Sequence, residues 1–248
     1  AYTASTQGFI FFTICIIKII PDISFNYKEI FGIIAEPTNN KNIEIGHRGN
    51  RFLTLKFTGE SGHASQQENY QKSALSKASN FLLNIDTIFN SWGSKYSNIY
   101  LGKPSLVPTS LSAGDKQSPN KTATSAEIVL DIRTTPELDA DFKNAFNLLS
   151  KKYGFSWKYH SDPVPSTLVS ENSAVIKNIL KSANLTESSI MISPGATDQG
   201  EFVNGLKNTQ VVVFGPGEWD EAHHQNEFIY KEKLSKYKME IVDFLKEF

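Results

Sequence analysis

Between residues 50 and 160 the apolar positions alternate between strand and helix periods. The order of those periods constrains the fold more than any single residue does. Leu53, Leu55 and Phe57 alternate with Thr54 and Lys56, the two-residue repeat of a half-buried strand. From Glu68 to Phe89 the apolar positions are Tyr70, Ala74, Ala78, Phe81, Leu82, Ile85 and Phe89. That spacing predicts a helix with one apolar face. Leu106–Leu111 and Ala126–Arg133 read as strands, the second with Ala126, Ile128, Leu130 and Ile132 on one face, and the polar Gly114–Asn120 stretch between them is turn-like. Phe142, Ala145, Phe146, Leu149 and Tyr153 mark a second amphipathic helix, Gly154 stops it, and Phe155–Tyr159 is a further strand. The order β-α-β-β-α-β is the split-βαβ arrangement, an antiparallel sheet with two helices on one face.

The flanking segments read differently. Ile30–Ala35 is an apolar run that ends at Glu36-Pro37, and Pro37 pushes Glu36 into extended backbone. After Pro163 come a helix around Ala174–Ala183, a polar loop at Ser188–Thr197 and a short helix from Asp198 to Asn204. Then follow an apolar strand Gln210–Phe214 ending at Gly215-Pro216-Gly217, and a last helix carrying Leu234, Tyr237, Ile241, Phe244 and Phe248. This is α/β material interrupted by the split-βαβ unit. The expected division is 1–47 and 161–248 for a discontinuous α/β domain, and 48–160 for the insertion.

Composition narrows the function classes. Twenty-five basic and 26 acidic side chains leave a formal net charge of -1, with no long charge run. That argues against a nucleic-acid or acidic-membrane partner. The single cysteine, Cys15, excludes an internal disulfide and a cysteine zinc cluster, and fits a reducing cytosol. The apolar run Phe9–Ile20 is interrupted by Lys18 and is shorter than the roughly 20 residues of a membrane span, so it reads as a buried strand or a disrupted N-terminus.

Five places could carry chemistry. Gly215-Pro216-Gly217 precedes Ala222-His223-His224-Gln225-Asn226-Glu227, which delivers an imidazole beside polar side chains. That residue type binds zinc, although a surface loop explains it equally. Glu36 closes a buried strand, where α/β sheets place ligand groups, or simply meets solvent. His63 sits in Gly59-Glu60-Ser61-Gly62-His63-Ala64-Ser65 between a strand and a helix. Gly195-Ala196-Thr197-Asp198 either caps a helix or offers free amides to a carboxylate. Arg133 either grips a carboxylate or pairs with Asp131 or Glu127.

Taken together and in this order, the pieces resemble the M20 family of zinc-dependent peptidases and deacylases. The carrying residues are Ala35-Glu36-Pro37-Thr38, Gly46-His47-Arg48-Gly49, Gly62-His63-Ala64-Ser65, Asn120, Asp131-Ile132-Arg133, Gly195-Ala196-Thr197-Asp198, Gly215-Pro216-Gly217 and Ala222-His223 with Asn226-Glu227. They span about residues 30–248, and the branch they look most like contains acetylornithine deacetylase, succinyl-diaminopimelate desuccinylase and carrier-bound lysine hydrolases. The resemblance implies an α/β zinc-peptidase domain, partial and discontinuous, with an inserted α+β split-βαβ (ferredoxin-like) lid domain through which two copies dimerise. It implies Glu36 and His223 as metal ligands, His63 and Asn120 as catalytic residues acting across the subunit boundary, and Arg133 and Thr197 as contacts to a substrate carboxylate. Two zinc ions, or cobalt in their place, would activate a bridging water for hydrolysis of an amide. The substrate implied is a small N-acylated amino acid, with a dipeptide as the alternative.

One departure stands out. The family's first metal histidine, its bridging aspartate and its catalytic glutamate lie upstream of the Glu36 position, yet residues 1–35 hold no histidine and only Asp22 and Glu29 as acids. A zinc site takes three or four protein ligands, so the chain is expected to be a fragment, inactive as it stands, in a cytoplasmic setting. A non-catalytic dimerising module and a protein anchored through Phe9–Ile20 are the rival readings.

Overall fold

The computed structural model describes residues 30–193, 195–205, 209–222 and 224–247. The Phe9–Ile20 run, Cys15 and His223 lie outside them. The chain divides into two compact units, one ending at His47 and resuming at Thr167, the other running from Arg48 to Ser166.

In chain order the elements of the first unit begin with β1 (Ile30–Ile34), β2 (Ile43–Glu44) and β3 (Gly46–His47). The second unit then supplies β4 (Gly49–Thr58), α1 (Glu68–Lys72), α2 (Ala74–Leu83), α3 (Ile85–Lys95), β5 (Ser105–Ala113), β6 (Ser125–Thr134), α4 (Pro136–Tyr153) and β7 (Phe155–Tyr159). The first unit resumes with β8 (Thr167–Leu168), α5 (Ala174–Ser182), β9 (Ile190–Met191), α6 (Gln199–Gly205), β10 (Thr209–Val213) and α7 (Lys231–Leu245).

In the second unit the sheet order is β5-β6-β4-β7, antiparallel throughout. Alternation decides which face is buried. Leu53, Leu55 and Phe57 of β4 stand opposite Leu130, Ile128 and Ala126 of β6, and all six are buried. The helices close over this face with Ala78 and Phe81 of α2, Ile88 and Trp92 of α3, and Phe142 and Phe146 of α4. Aromatic rings dominate the centre: Phe146 meets Trp157 at 5.2 Å between centroids and Phe155 at 5.9 Å, both tilted or edge-on. Such pairs add to their area burial.

The expected single helix from Glu68 to Phe89 is in fact three. Its apolar phase continues, but the backbone leaves the helix at Ser73, which is extended (φ -72, ψ 150) and accepts the Ser76 amide as an N-cap. It leaves again at Asn84 (φ -102, ψ 5). Ser and Asn compete for backbone bonds and favour caps over helix interiors. The stop at Gly154 is observed, with φ +71 and its amide bonded to Ser150. Thr135 starts α4 by accepting the Leu138 amide at 3.4 Å and donating to the Tyr96 carbonyl at 2.6 Å.

The first unit has a four-stranded sheet in the order β1-β10-β2-β9, with β1 parallel to β10 and β2 antiparallel to it. α5 and α7 cover it, burying Val175, Ile176, Ile179 and Phe244 against Ile43, Ile45, Val212 and Phe214. β3 and β8 form a separate antiparallel pair, Gly46 opposite Leu168 and His47 opposite Thr167. Among the described residues, no helix is long and apolar enough to cross a membrane.

Gly49 marks the crowded entry to the second unit. A Cβ there would lie 2.1 Å from Thr134 Oγ1, 2.8 Å from the Ser166 amide and 2.9 Å from the Val164 carbonyl. Asn50 also exchanges two backbone hydrogen bonds with Val164, at 2.8 and 2.9 Å. Two consequences are testable by urea unfolding followed through tryptophan fluorescence. Phe146→Ala, which opens a void in the aromatic cluster, is expected to cost about 3–5 kcal/mol. Gly49→Ala is expected to cost roughly 1–3 kcal/mol through overpacking, with no gain from removing a glycine.

Candidate functional site

The first unit gathers its chemistry at the carboxyl ends of β1 and β10. Five residues pair in register, from Ile30 opposite Thr209 to Ile34 opposite Val213, so both strands end together. Glu36 and Gly215 follow these ends. The approach is close: a Cβ on Gly215 would sit 2.4 Å from the Glu36 carbonyl oxygen, so only glycine fits. Thr38 locks the two turns, donating its hydroxyl to the Gly215 carbonyl at 3.2 Å and accepting the Gly215 amide at 2.9 Å. The Asn39 amide donates to the Gly217 carbonyl at 2.7 Å. Glu36 therefore shares one end of the sheet with the segment leading from Gly215 toward Glu227. His223 lies outside the described residues, between Ala222, whose amide bonds to Trp219, and His224.

A residue the sequence reading passed over sits here. Glu44, in β2 opposite Val213, is buried, and its Oε2 has no hydrogen-bond partner. Burial pushes its carboxyl up from the ordinary carboxylate range; the nearby Ser193 hydroxyl opposes this, and the charge of Glu36 adds to it. Glu36 and Glu44 are two carboxylates. Among the described residues, no three His, Cys, Asp or Glu side chains come together as a metal would need. A zinc centre takes three or four protein ligands, so the described donors do not by themselves fit one.

His47 was quoted only as part of a motif, yet it is fully buried, with Nε2 3.1 Å from the Thr197 carbonyl. Thr197 in turn accepts the Gln199 amide on Oγ1 at 3.3 Å, at the start of α6. Gln199 is fully buried, and its side chain donates to the Val211 carbonyl at 2.6 Å, tying α6 to β10.

In the second unit the structure brings His63 and Asn120 together, although 57 residues separate them in the sequence. His63 pairs with Lys121 in an isolated antiparallel bridge. The Ala64 amide donates to the Asn120 carbonyl at 2.9 Å, and the Thr122 amide to the Gly62 carbonyl at 2.9 Å. The His63 ring is exposed. Its Nδ1 accepts the Ser65 amide at 3.2 Å and lies 2.7 Å from Ser65 Oγ. An Nδ1 that accepts a backbone amide leaves the proton on Nε2, so the ring presents an N–H donor outward. Arg133, on β6 opposite Asn50 and Ser105, is held by Asp131 through Nε at 2.9 Å and Nη2 at 3.0 Å. Its ion pair with Asp131 is formed, and one edge of the guanidinium is thereby used.

The raised Glu44 carboxyl has a signed consequence. The native state holds this proton more tightly than the unfolded chain, whose carboxyl titrates near 4.5. Stability from this group is thus present at acid pH and lost as pH rises from about 4.5 through the higher folded value. Glu44→Gln is expected to remove that loss, so urea midpoints measured at pH 5 and pH 8 should differ less in the variant than in the wild type.

Comparison with known proteins agrees with this layout. Residues 45–154 match the family model of the peptidase dimerisation domain. The acetylornithine deacetylase of Aliivibrio fischeri is 26% identical over 206 residues, covering 79% of this chain and 52% of that protein. A Staphylococcus aureus protein named a probable succinyl-diaminopimelate desuccinylase is 28% identical over 246 residues, covering 87% of this chain and 58% of its own length. The chain thus spans about half the length of these curated relatives. Among solved structures, an aminopeptidase from Bacillus cereus superposes with a TM-score of 0.65 at 16% identity, over 90% of this chain and 58% of that one. An M20 family metallo-carboxypeptidase from Sulfolobus solfataricus superposes with a TM-score of 0.62 at 18% identity, over 95% and 66%. At such identities these two speak for the fold alone. The inserted unit thus matches a peptidase dimerisation domain, and the chain is similar over most of its length to deacylases and peptidases of the M20 family.

Proposed function

We propose that this chain is the dimerisation domain and C-terminal catalytic portion of a zinc-dependent amide hydrolase that removes the acyl group from a small N-acylated amino acid. The observation that carries the reading is the joint end of β1 and β10, where Glu36 is fixed against Gly215 at the start of the segment that contains His223. In this reading Glu36 and His223 are metal ligands, and the remaining ligands come from elsewhere than the described residues. The names of the A. fischeri and S. aureus relatives support an acylated amino-acid substrate over a dipeptide.

The chain's own residues have assigned tasks. His63 donates its outward Nε2–H to the oxygen that gains charge as the amide is attacked, and the Asn120 side chain is a second donor beside it. Positioned donors of this kind are worth a factor of about 10²–10³ in turnover. Thr197 and Arg133 contact the substrate carboxylate. The second unit mediates a homodimer. Among the described residues its edge strand β5 is paired on one side only and exposes Val107 and Leu111, an edge of the kind that natural sheets cover. The setting is cytoplasmic.

A second reading is favoured by a specific observation, the absence of a three-ligand cluster among the described residues. It makes the chain a non-catalytic dimerising module. One experiment separates the two. The segment of the A. fischeri deacetylase that precedes its Glu36-equivalent is fused ahead of Glu36. The chimera and the chain alone are assayed with zinc against N-acetyl-L-ornithine and a free dipeptide. The enzyme reading expects the chimera to release acetate while sparing the dipeptide, and the chain alone to do neither. A chimera that folds and loads zinc but cleaves neither compound supports the module instead. In the active chimera, His63→Ala is expected to lower turnover about 10²–10³-fold with zinc content unchanged; a fall in zinc content would contradict the role given to His63.

A further inference from the structure

Met191, Ser193 and Thr197 are each tied to the stretch Ile45–His47. The Ile45 amide donates to the Met191 carbonyl at 2.9 Å, and the Ser193 amide donates to the Gly46 carbonyl at 2.8 Å. Residue 194 is a proline, which has no N–H to donate. On the other side, His47 stands opposite Thr167, and a Cβ on Gly46 would lie 2.3 Å from the Thr167 carbonyl, so β3 and β8 allow no further approach. A further tie to the segment is made by a side chain, from His47 Nε2 to the Thr197 carbonyl at 3.1 Å.

The direction of that bond is fixed by chemistry. A carbonyl oxygen only accepts, so Nε2 carries the proton and donates. The imidazole is fully buried, on a strand whose backbone is held on both sides, so its rotamer is set by packing. The restraint reaches further than one carbonyl. Thr197 Oγ1 accepts the Gln199 amide, and the buried Gln199 side chain donates to Val211 in β10. A chain of bonds therefore runs from β3 through Thr197 to β10, and His47 is its first member.

We propose that His47 is a positioning residue: through its Nε2–H it fixes the Gly195–Asp198 turn so that the Thr197 side chain stands ready for the substrate carboxylate. The assignment of Thr197 to that carboxylate rests on the function proposed above; the clamp on the turn does not. His47 touches no substrate and acts through the turn.

Three forms of the full chain test this: wild type, His47→Gln and His47→Phe. Glutamine keeps an N–H donor near the Nε2 position, whereas phenylalanine keeps the ring and loses the donor. Thermal melts identify any variant that fails to fold. Hydrogen exchange is followed at the amides of Gln199 and Glu201, and binding of N-acetyl-L-ornithine by calorimetry. Phenylalanine is expected to speed exchange at these amides by roughly five- to tenfold, the loss of one hydrogen bond, and to weaken binding by a similar factor; glutamine restores both. Unchanged exchange in the phenylalanine variant overturns the clamp. Faster exchange that glutamine does not restore also overturns it, because ring packing would then be the cause. Unchanged affinity in a variant with faster exchange overturns the positioning role. Exchange as expected with no binding to the wild type upholds the clamp and overturns the assignment of Thr197.

Discussion

The parallel pairing of β1 with β10 is the constraint on which the site depends. Its five register pairs join positions about 180 residues apart in sequence and end both strands at one level. Everything at that end follows from the close approach it forces. Gly215 must be glycine because the Glu36 carbonyl occupies the space a Cβ would need. Thr38 then satisfies both the amide and the carbonyl of Gly215. A carboxylate held in this way has a fixed backbone origin, which a metal ligand or a binding group requires, and which a surface acid on a free loop does not have.

The inserted unit works by a different logic. Its core is aromatic and closed on one face of an antiparallel sheet, and its two candidate catalytic residues lie away from that core. His63 and Asn120 are placed by backbone bonds between two connecting segments, around Gly62–Ala64 and Asn120–Thr122. The ring is left exposed while its orientation is set by Ser65. The unit thereby presents this ring on a short, well-bonded edge. Arg133 is positioned by a strand and by Asp131 together, so its remaining N–H groups point in a defined direction.

Much of this was legible in the sequence, for reasons that can be named. The split-βαβ order could be read because strand and helix periods alternate cleanly there, and because Gly154 needs the positive φ it adopts. The helix from Glu68 to Phe89 was misjudged because apolar spacing is blind to caps: Ser73 and Asn84 interrupt the backbone without interrupting the apolar phase. β2 and β3, two residues each, are too short to show any period. Glu44 and His47 were hidden for the same reason. A buried polar residue inside a two-residue strand looks like a surface residue until its neighbours in space are known. The resemblance to the M20 motifs pointed to His47 alone, through Gly46-His47-Arg48-Gly49, and it could not say what His47 holds.

The central claim is one arrangement of atoms, a carboxylate and an imidazole from distant parts of the chain brought within reach of one shared pair of metal ions. A crystal of the chain soaked with zinc, examined by anomalous scattering at the zinc edge, reports on it directly. The account predicts two neighbouring peaks, one at about 2.0–2.2 Å from a Glu36 carboxylate oxygen and the other at about 2.0–2.1 Å from a His223 ring nitrogen. A zinc ion bound to neither residue, or the two side chains on opposite sides of the β1–β10 sheet, would contradict it.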